Sequence, residues 1–292
     1  MAVNDDSPTL ALARHYVEVD RPQAAIEALD GAREDELEEP EYWLLRAHAL
    51  YDLSLYHDGS EAAKTGLGRD PEELDLLNML ALCQMELGQA DAAEATNETA
   101  LALSPDNEVL LANRALILAR RKDFRGARAA IDEAMRVAPE AVVVLRIRAQ
   151  VAILDDDERA GAYVDELLAL APDDRIGHAL KGNLAAQRKR YVSAARAFDE
   201  AARLDPSDVE LVSVAREARV AAHPLLAPLR PLWRLGRWRA YGIFLVLSIG
   251  LAALGFNAAH TVIVVGWLVI VALSWLGPPF VRWWERRKYG GF

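Results

Sequence analysis

Apolar positions along this chain come in paired, helix-length stretches. The pairs close on prolines at a fixed interval: Pro71, Pro105, Pro139, Pro172 and Pro206, spaced 34, 34, 33 and 34 residues apart. A constant period in this range marks a stacked repeat array. Each unit reads as two helices of roughly 12 to 14 residues joined by a short break. The clearest copy is residues 108–141, where small residues alternate with bulky ones. Ala115 and Ala127 are small because the two helices of one unit must cross closely. Leu111, Leu118 and Ile131 fill the space beside that crossing. The proline ends the second helix, since it lacks an N–H and clashes with the preceding turn. An Asp or Ser beside it, as in Ser104-Pro105-Asp106, is expected to cap the next helix.

Counted within its unit, Ala115 is at place 8, Phe124 at 17, Ala127 at 20, Ala134 at 27 and Pro139 at 32. The sixth unit puts Gly182, Tyr191, Ala194, Ala201 and Pro206 at the matching places, and the third puts Ala81, Ala93, Ala100 and Pro105. The second has Ala47 and Pro71, with Gly59 and Gly66 where small residues belong. This pattern resembles the tetratricopeptide repeat family. Ala13, Tyr16, Ala25 and Ala32 extend it into a divergent first unit over residues 6–39. There Leu37 stands in place of the proline and Pro40 opens the next unit. The fifth unit is one residue short, near Asp155–Asp157. Residues 208–222 read as a polar-faced terminal helix, which is what closes a solenoid. The expected array is six repeats plus a cap over residues 1–222.

Residues 240–280 contain no Asp, Glu, Lys or Arg. That stretch is about twice the roughly 20 residues needed to cross a bilayer. A turn at residues 256–260 divides it into two expected spans, 241–256 and 261–276, with Pro278 and Pro279 ending the second helix. Gly250, Ala253 and Gly266 either let the two helices approach or reflect ordinary membrane-helix composition. The other readings are a buried soluble hairpin and a hairpin dipping into one leaflet. The expected fold is therefore all-α: a helical-hairpin solenoid followed by two transmembrane helices. Its parts are the array (1–222), a basic aromatic linker (223–240), a hairpin (241–281) and a basic cytoplasmic tail (282–292).

Charge sharpens this division. The net charge is −11, but residues 223–292 carry +7 and residues 1–222 carry −18. An acidic array of this size repels phosphate and argues against nucleic-acid binding. Arg230, Arg234, Arg237 and Arg239 precede the apolar stretch, and Arg282, Arg286, Arg287 and Lys288 follow it, with no basic residue in the turn. The positive-inside rule then places both flanks in the cytoplasm. Trp233, Trp238, Trp283 and Trp284 lie among these arginines, as an interfacial belt does. Membrane lipids are thus expected partners. The acidic start of the chain does not read as a secretory signal. Abundant Arg and Ala are compatible with a high-GC bacterial genome, and the expected location is the inner membrane.

Catalytic motifs are not evident. Gly66-Leu67-Gly68 reads as a turn rather than a phosphate loop. No His-Glu-x-x-His or paired cysteines occur, so no metal, cofactor or enzymatic activity is expected. Asp155-Asp156-Asp157-Glu158 is a solvated cap rather than a calcium site, and the lone Cys83 is a small core residue.

The tetratricopeptide resemblance implies a concave groove lined by the first helix of each repeat. The corresponding places carry Arg14, His48, Asn78, Asn113, Arg146, Gln150 and Asn183. Asn113 and Asn183 fall where many family members hold an extended peptide by its backbone. Leu45 and Ile147 occupy two other asparagine places, and no full lysine–asparagine clamp is present. These polar groups either bind a peptide or merely solvate the groove. Taken with the expected membrane hairpin, the resemblance points to a membrane-tethered adaptor for an unidentified protein or peptide. The alternative is a structural subunit of a membrane machine for secretion, envelope assembly or proteolysis, with the hairpin as an interface. An adaptor's hairpin is exchangeable for an unrelated anchor, whereas a subunit's is not.

Overall fold

Three of the five expected proline stops, at Pro105, Pro139 and Pro206, are realised by the residue in front of the proline. A residue preceding proline is pushed out of the helical region. Ser104, Ala138 and Asp205 accordingly turn extended, with φ near −139°, −139° and −134°. The computed structural model describes residues 7–229, 242–246, 248–249 and 257–289. It divides into two units, Met1–Leu170 and Ala171–Phe292.

The first unit holds five helix pairs: α1 (Pro8–Glu18) with α2 (Pro22–Leu29), α3 (Pro40–Asp52) with α4 (Tyr56–Leu67), α5 (Leu74–Glu86) with α6 (Ala90–Leu103), α7 (Glu108–Arg120) with α8 (Phe124–Val137), and α9 (Val142–Leu154) with α10 (Ala160–Leu170). The second unit holds the sixth pair, α11 (Arg175–Gln187) with α12 (Tyr191–Leu204), then the capping helix α13 (Val209–Ala222). A 3₁₀ turn at Pro224–Leu229 and a long helix, α14 (Asn257–Tyr289), complete the described residues.

The small residues lie where the helices of a pair cross. Ala13, Ala47, Ala81, Ala115 and Ala149 are fully buried, as are Ala25, Ala93, Ala127 and Ala160 on the second helices. A side chain at Gly66 would meet Leu76 at 2.7 Å and the Trp43 Cβ at 2.8 Å. One at Gly182 would meet the Phe198 ring at 2.8 Å. The Cys83 thiol is buried against Gly59, and burial pushes it up to about 11.

The divergent end of the first repeat is built as a 3₁₀ turn, Glu36–Glu38. Leu37 packs into the apolar cluster around Leu10, Leu29 and Tyr42. Its carbonyl accepts from the Trp43 indole at 2.8 Å and from Arg69 at 3.1 Å. Glu36 is buried, accepts from the Ser7 hydroxyl and from the Arg33 backbone N–H, and is held below the usual carboxylate range mainly by the Ser7 bond. These contacts do the work of the missing proline. In the fifth repeat, α10 starts late because Asp157–Arg159 forms a turn in place of the first helical turn. At the start of α7 the cap is Asn107, not Asp106. Its Oδ1 accepts from the N–H groups of Val109 and Leu110.

One regularity is invisible in the residue types. The turn inside every pair contains a residue in the left-handed region: Asp20, Ser54, Gly88, Lys122, Asp156 and Lys189, with φ from 52° to 74°. All six fall at the same place in their repeats. The following N–H reaches back across the turn, as in Asp123 N to Leu118 O at 2.9 Å and Arg190 N to Ala185 O at 2.8 Å. This closes each first helix with a Schellman motif. A side chain at Gly88 would meet nothing within 4 Å, so Gly88→Ala introduces backbone strain alone. We expect it to cost about 1 kcal/mol and to lower the melting midpoint by roughly 2–4 °C. An unchanged midpoint would show that the turn relaxes out of this conformation.

At the C-terminal end, the first expected span, 241–256, falls largely outside the described residues, as do Arg230, Trp233, Arg234, Arg237, Trp238 and Arg239. The second span falls within α14. Among the described residues, no helix is long and apolar enough to cross a membrane. One correction follows. Pro278 and Pro279 do not end the helix, which continues to Tyr289. A proline costs an interior helix roughly 3 kcal/mol but does not forbid it, and helix resumes on its far side. Among the described residues a side chain at Gly266 would meet nothing within 4 Å, while Gly250 and Ala253 lie outside them. Phe244 stacks on Trp267, with centroids 4.5 Å apart. Leu226 of the 3₁₀ turn is buried against Val281, with Val220 and Ile270 beside them.

Candidate functional site

In the first unit the first helices form a continuous row. α1 packs on α3, α3 on α5, α5 on α7 and α7 on α9, while α2, α4, α6 and α8 each pack on their partner and on the next first helix. The polar side chains of this row bridge successive repeats. Arg14 of α1 donates its Nε to Glu41 of α3 at 2.8 Å. Asn113 of α7 donates its amide to the Asn78 carbonyl of α5 at 2.7 Å. Arg120 of α7 meets Glu86 of α5 at 2.9 Å.

Each predicted groove residue now has a place. Asn78 is half-buried, but Asn113 is only 5% exposed and its amide is spent on Asn78. Arg146 and Gln150 are half-buried on α9. His48 bonds Asp52 through Nδ1 at 3.1 Å. Its imidazole is raised above the usual histidine value, first by that bond and then by the fields of Asp52, Asp20 and Asp75. It therefore carries positive charge to higher pH than a free histidine. Asn183 is exposed on α11, in the second unit. Arg14, His48, Asn78, Asn113, Arg146 and Gln150 thus share one row of helices, and Asn183 belongs to a separately described unit.

The pairings escaped sequence reading, yet one signal carried them. Glu86 and Arg120 lie one period apart, at equivalent places of adjacent repeats, and Asn78 and Asn113 are offset by one residue more. Complementary types one period apart are candidates for contact in a stacked array.

The acidic run at Asp155–Glu158 is occupied by arginines. Asp155 pairs with Arg128, and Asp157 accepts from Arg159 at 3.2 Å and from the Arg159 backbone N–H at 2.8 Å. The Arg159 bond holds Asp157 below the usual carboxylate range. Nearby, Arg148 lies over the Tyr163 ring at 4.4 Å and pairs with Glu166.

Of the interface residues, Arg282, Trp283 and Trp284 fall in α14. Trp283 and Trp284 are about half exposed, and Arg287 lies over the Trp283 ring at 4.6 Å. Val262, Val265, Leu268, Val269, Trp275 and Leu276 of the same helix are also exposed.

A tetratricopeptide repeat model matches residues 10–56, 44–108 and 156–209. The chain is 27% identical over 134 residues to anaphase-promoting complex subunit 3 of Schizosaccharomyces pombe, which covers 46% of this chain and only 20% of that subunit. Among solved structures, the anaphase-promoting complex hetero-tetramer Cut9–Hcn1 superposes with a TM-score of 0.58 at 13% identity, over 73% of this chain and 42% of the other. The type IV pilus biogenesis factor PilW superposes with a TM-score of 0.53 at 17% identity, over 73% of this chain and 99% of the other. At these identities the likeness shows the fold.

Proposed function

Because the chain belongs to the tetratricopeptide repeat family, we propose that it is a membrane-anchored adaptor. In this reading it binds a partner protein or peptide along its row of first helices at the cytoplasmic face of the inner membrane. Repeat arrays of this family are scaffolds suited to protein–protein interaction and generally lack catalysis.

The observation that carries the binding reading is the composition of the row. Core-facing places are apolar, while Arg14, His48, Asn78, Arg146 and Gln150 put polar groups on the helices that form a continuous layer. A polar ladder built from regularly spaced helices matches the repeat of an extended peptide backbone, whose N–H and C=O groups need partners.

Two observations support the anchor. Residues 240–280 lack any Asp, Glu, Lys or Arg. α14 also exposes a run of large apolar side chains of a kind that water-soluble chains rarely leave uncovered. The basic residues on both flanks support a topology with the two ends on the cytoplasmic side.

A photo-crosslinking residue placed at His48 or Gln150 tests the binding surface. In cells it is expected to trap the same partner from either position. The same probe at Thr99, exposed on α6, is expected to trap none. Trapping from Thr99 but from neither row position would move the binding surface to the second helices.

A further inference from the structure

The acidity of the array belongs entirely to the first unit. Residues 1–170 carry 16 basic and 35 acidic side chains, net −19, whereas residues 171–222 carry nine and eight, net +1. Within the second unit one end is purely basic, whereas the other is mainly acidic and holds Arg175 and Arg203 in pairs with Asp205 and Glu200.

α11, α12 and α13 are joined by short turns and pack in sequence, so they run antiparallel. The turn between α11 and α12, Arg188-Lys189-Arg190, therefore lies at the same end as the C-terminus of α13. All three of its residues are exposed. The opposite end holds Asp173 and Asp174 before α11, Asp205 and Asp208 in the α12–α13 turn, and Glu210 at the start of α13. The acid nearest the basic end, Glu217, is flanked along α13 by Arg216 and Arg219.

The basic end is also where the chain leaves for its apolar segment. Val220, in the last turn of α13, packs with Leu226 of the 3₁₀ turn and with Val281 of α14. The next seven residues after Val281 include Arg282, Arg286, Arg287 and Lys288 and one acid, Glu285. The second unit thus gathers two basic segments, far apart in sequence, at the end from which the anchor departs.

We propose that the Arg188-Lys189-Arg190 turn is a second membrane contact, which seats the last repeat on anionic lipid headgroups. The inference rests on the membrane anchor proposed above and adds a site outside it. The ligand chemistry is the phosphate of an anionic bilayer surface. A basic residue near such a surface contributes roughly 1 kcal/mol, a factor of about five, so three contribute on the order of a hundredfold. The contribution acts within a Debye length of about 8 Å, so it needs the anchor to bring the turn to the surface.

The test uses the full chain in vesicles, with a fluorophore on Ser193→Cys beside the basic turn or on Ser207→Cys in the acidic turn. Both serines are exposed, and the native Cys83 is fully buried. Headgroup-labelled quencher lipids report proximity. In vesicles containing phosphatidylglycerol, the Ser193 probe is expected to be quenched and the Ser207 probe spared. Replacing Arg188, Lys189 and Arg190 together by Gln, or using phosphatidylcholine alone, is expected to lower the docked-to-undocked ratio about a hundredfold, while the protein still sediments with the vesicles. Equal quenching at both positions, or Ser193 quenching that survives the triple substitution in a sedimenting protein, overturns the inference. A protein that fails to sediment with either vesicle overturns the anchor reading and the inference with it.

Discussion

Gly66→Val is expected to lower the melting midpoint of the repeat array by roughly 6–12 °C. Gly66 sits on α4 at a place reserved for small residues. A Cβ there would lie 2.7 Å from a Leu76 methyl and 2.8 Å from the Trp43 Cβ. Leu76 is fully buried, and the Trp43 Cβ is held by its own backbone, so neither yields easily. Overpacking of this kind costs about 1–3 kcal/mol and occasionally more. Valine adds two further methyl groups, while relief of the helical glycine returns only about 0.5–1 kcal/mol. The net is about 3 kcal/mol, a large share of the 5–15 kcal/mol that holds a typical domain. Circular dichroism on heating measures it. Adding Leu76→Ala to Gly66→Val should recover part of the loss, because it vacates the colliding volume. An unchanged midpoint for Gly66→Val alone would mean that α4 does not approach α3 and α5 as described.

The placing of Gly66 was legible from the sequence because close helix crossings admit only small side chains, and that constraint recurs every 34 residues. Ala100, Ala134 and Ala201 stand at the same place of their repeats and are fully buried. The Schellman turns were not legible. Five of their six left-handed residues are Asp, Ser or Lys, types that give no glycine signal. There the packing of the two helices imposes the turn and the residue tolerates the strain.

The candidate site divides in a similar way. Its positions were named by the tetratricopeptide resemblance, and all but Asn183 fall on the one row of first helices in the first unit. Its pairings were not named by it, because the Asn78–Asn113 bond depends on the register between repeats. The consequence is physical: Asn113, expected among the groove residues, is buried and its amide is bonded to the Asn78 side-chain oxygen. The continuation of α14 through Pro278–Pro279 was misread because proline's helix penalty is finite and acts against everything else that favours the helix.

The second large effect concerns the C-terminal segment, where the outcome is all or none. Residues 257–260, expected as a turn, form the start of α14; moving this segment across a bilayer requires two apolar spans and no charge between them. Residues 240–280 meet the charge requirement, and α14 begins at Asn257 with exposed Val262, Val265 and Leu268 following it. The cationic flanks resist transfer, since a basic residue at the bilayer centre costs roughly 2.5–3.5 kcal/mol. On the proposed reading the segment at residues 256–260 faces outward and the Arg282–Lys288 end inward, with the repeat array on the cytoplasmic side. The measurement is thiol labelling of intact cells with a membrane-impermeant reagent. Asn257→Cys is expected to react and Arg287→Cys to react only after the cells are permeabilised. Reaction of both before permeabilisation, or of neither, would contradict an array held at the cytoplasmic face by a two-span anchor.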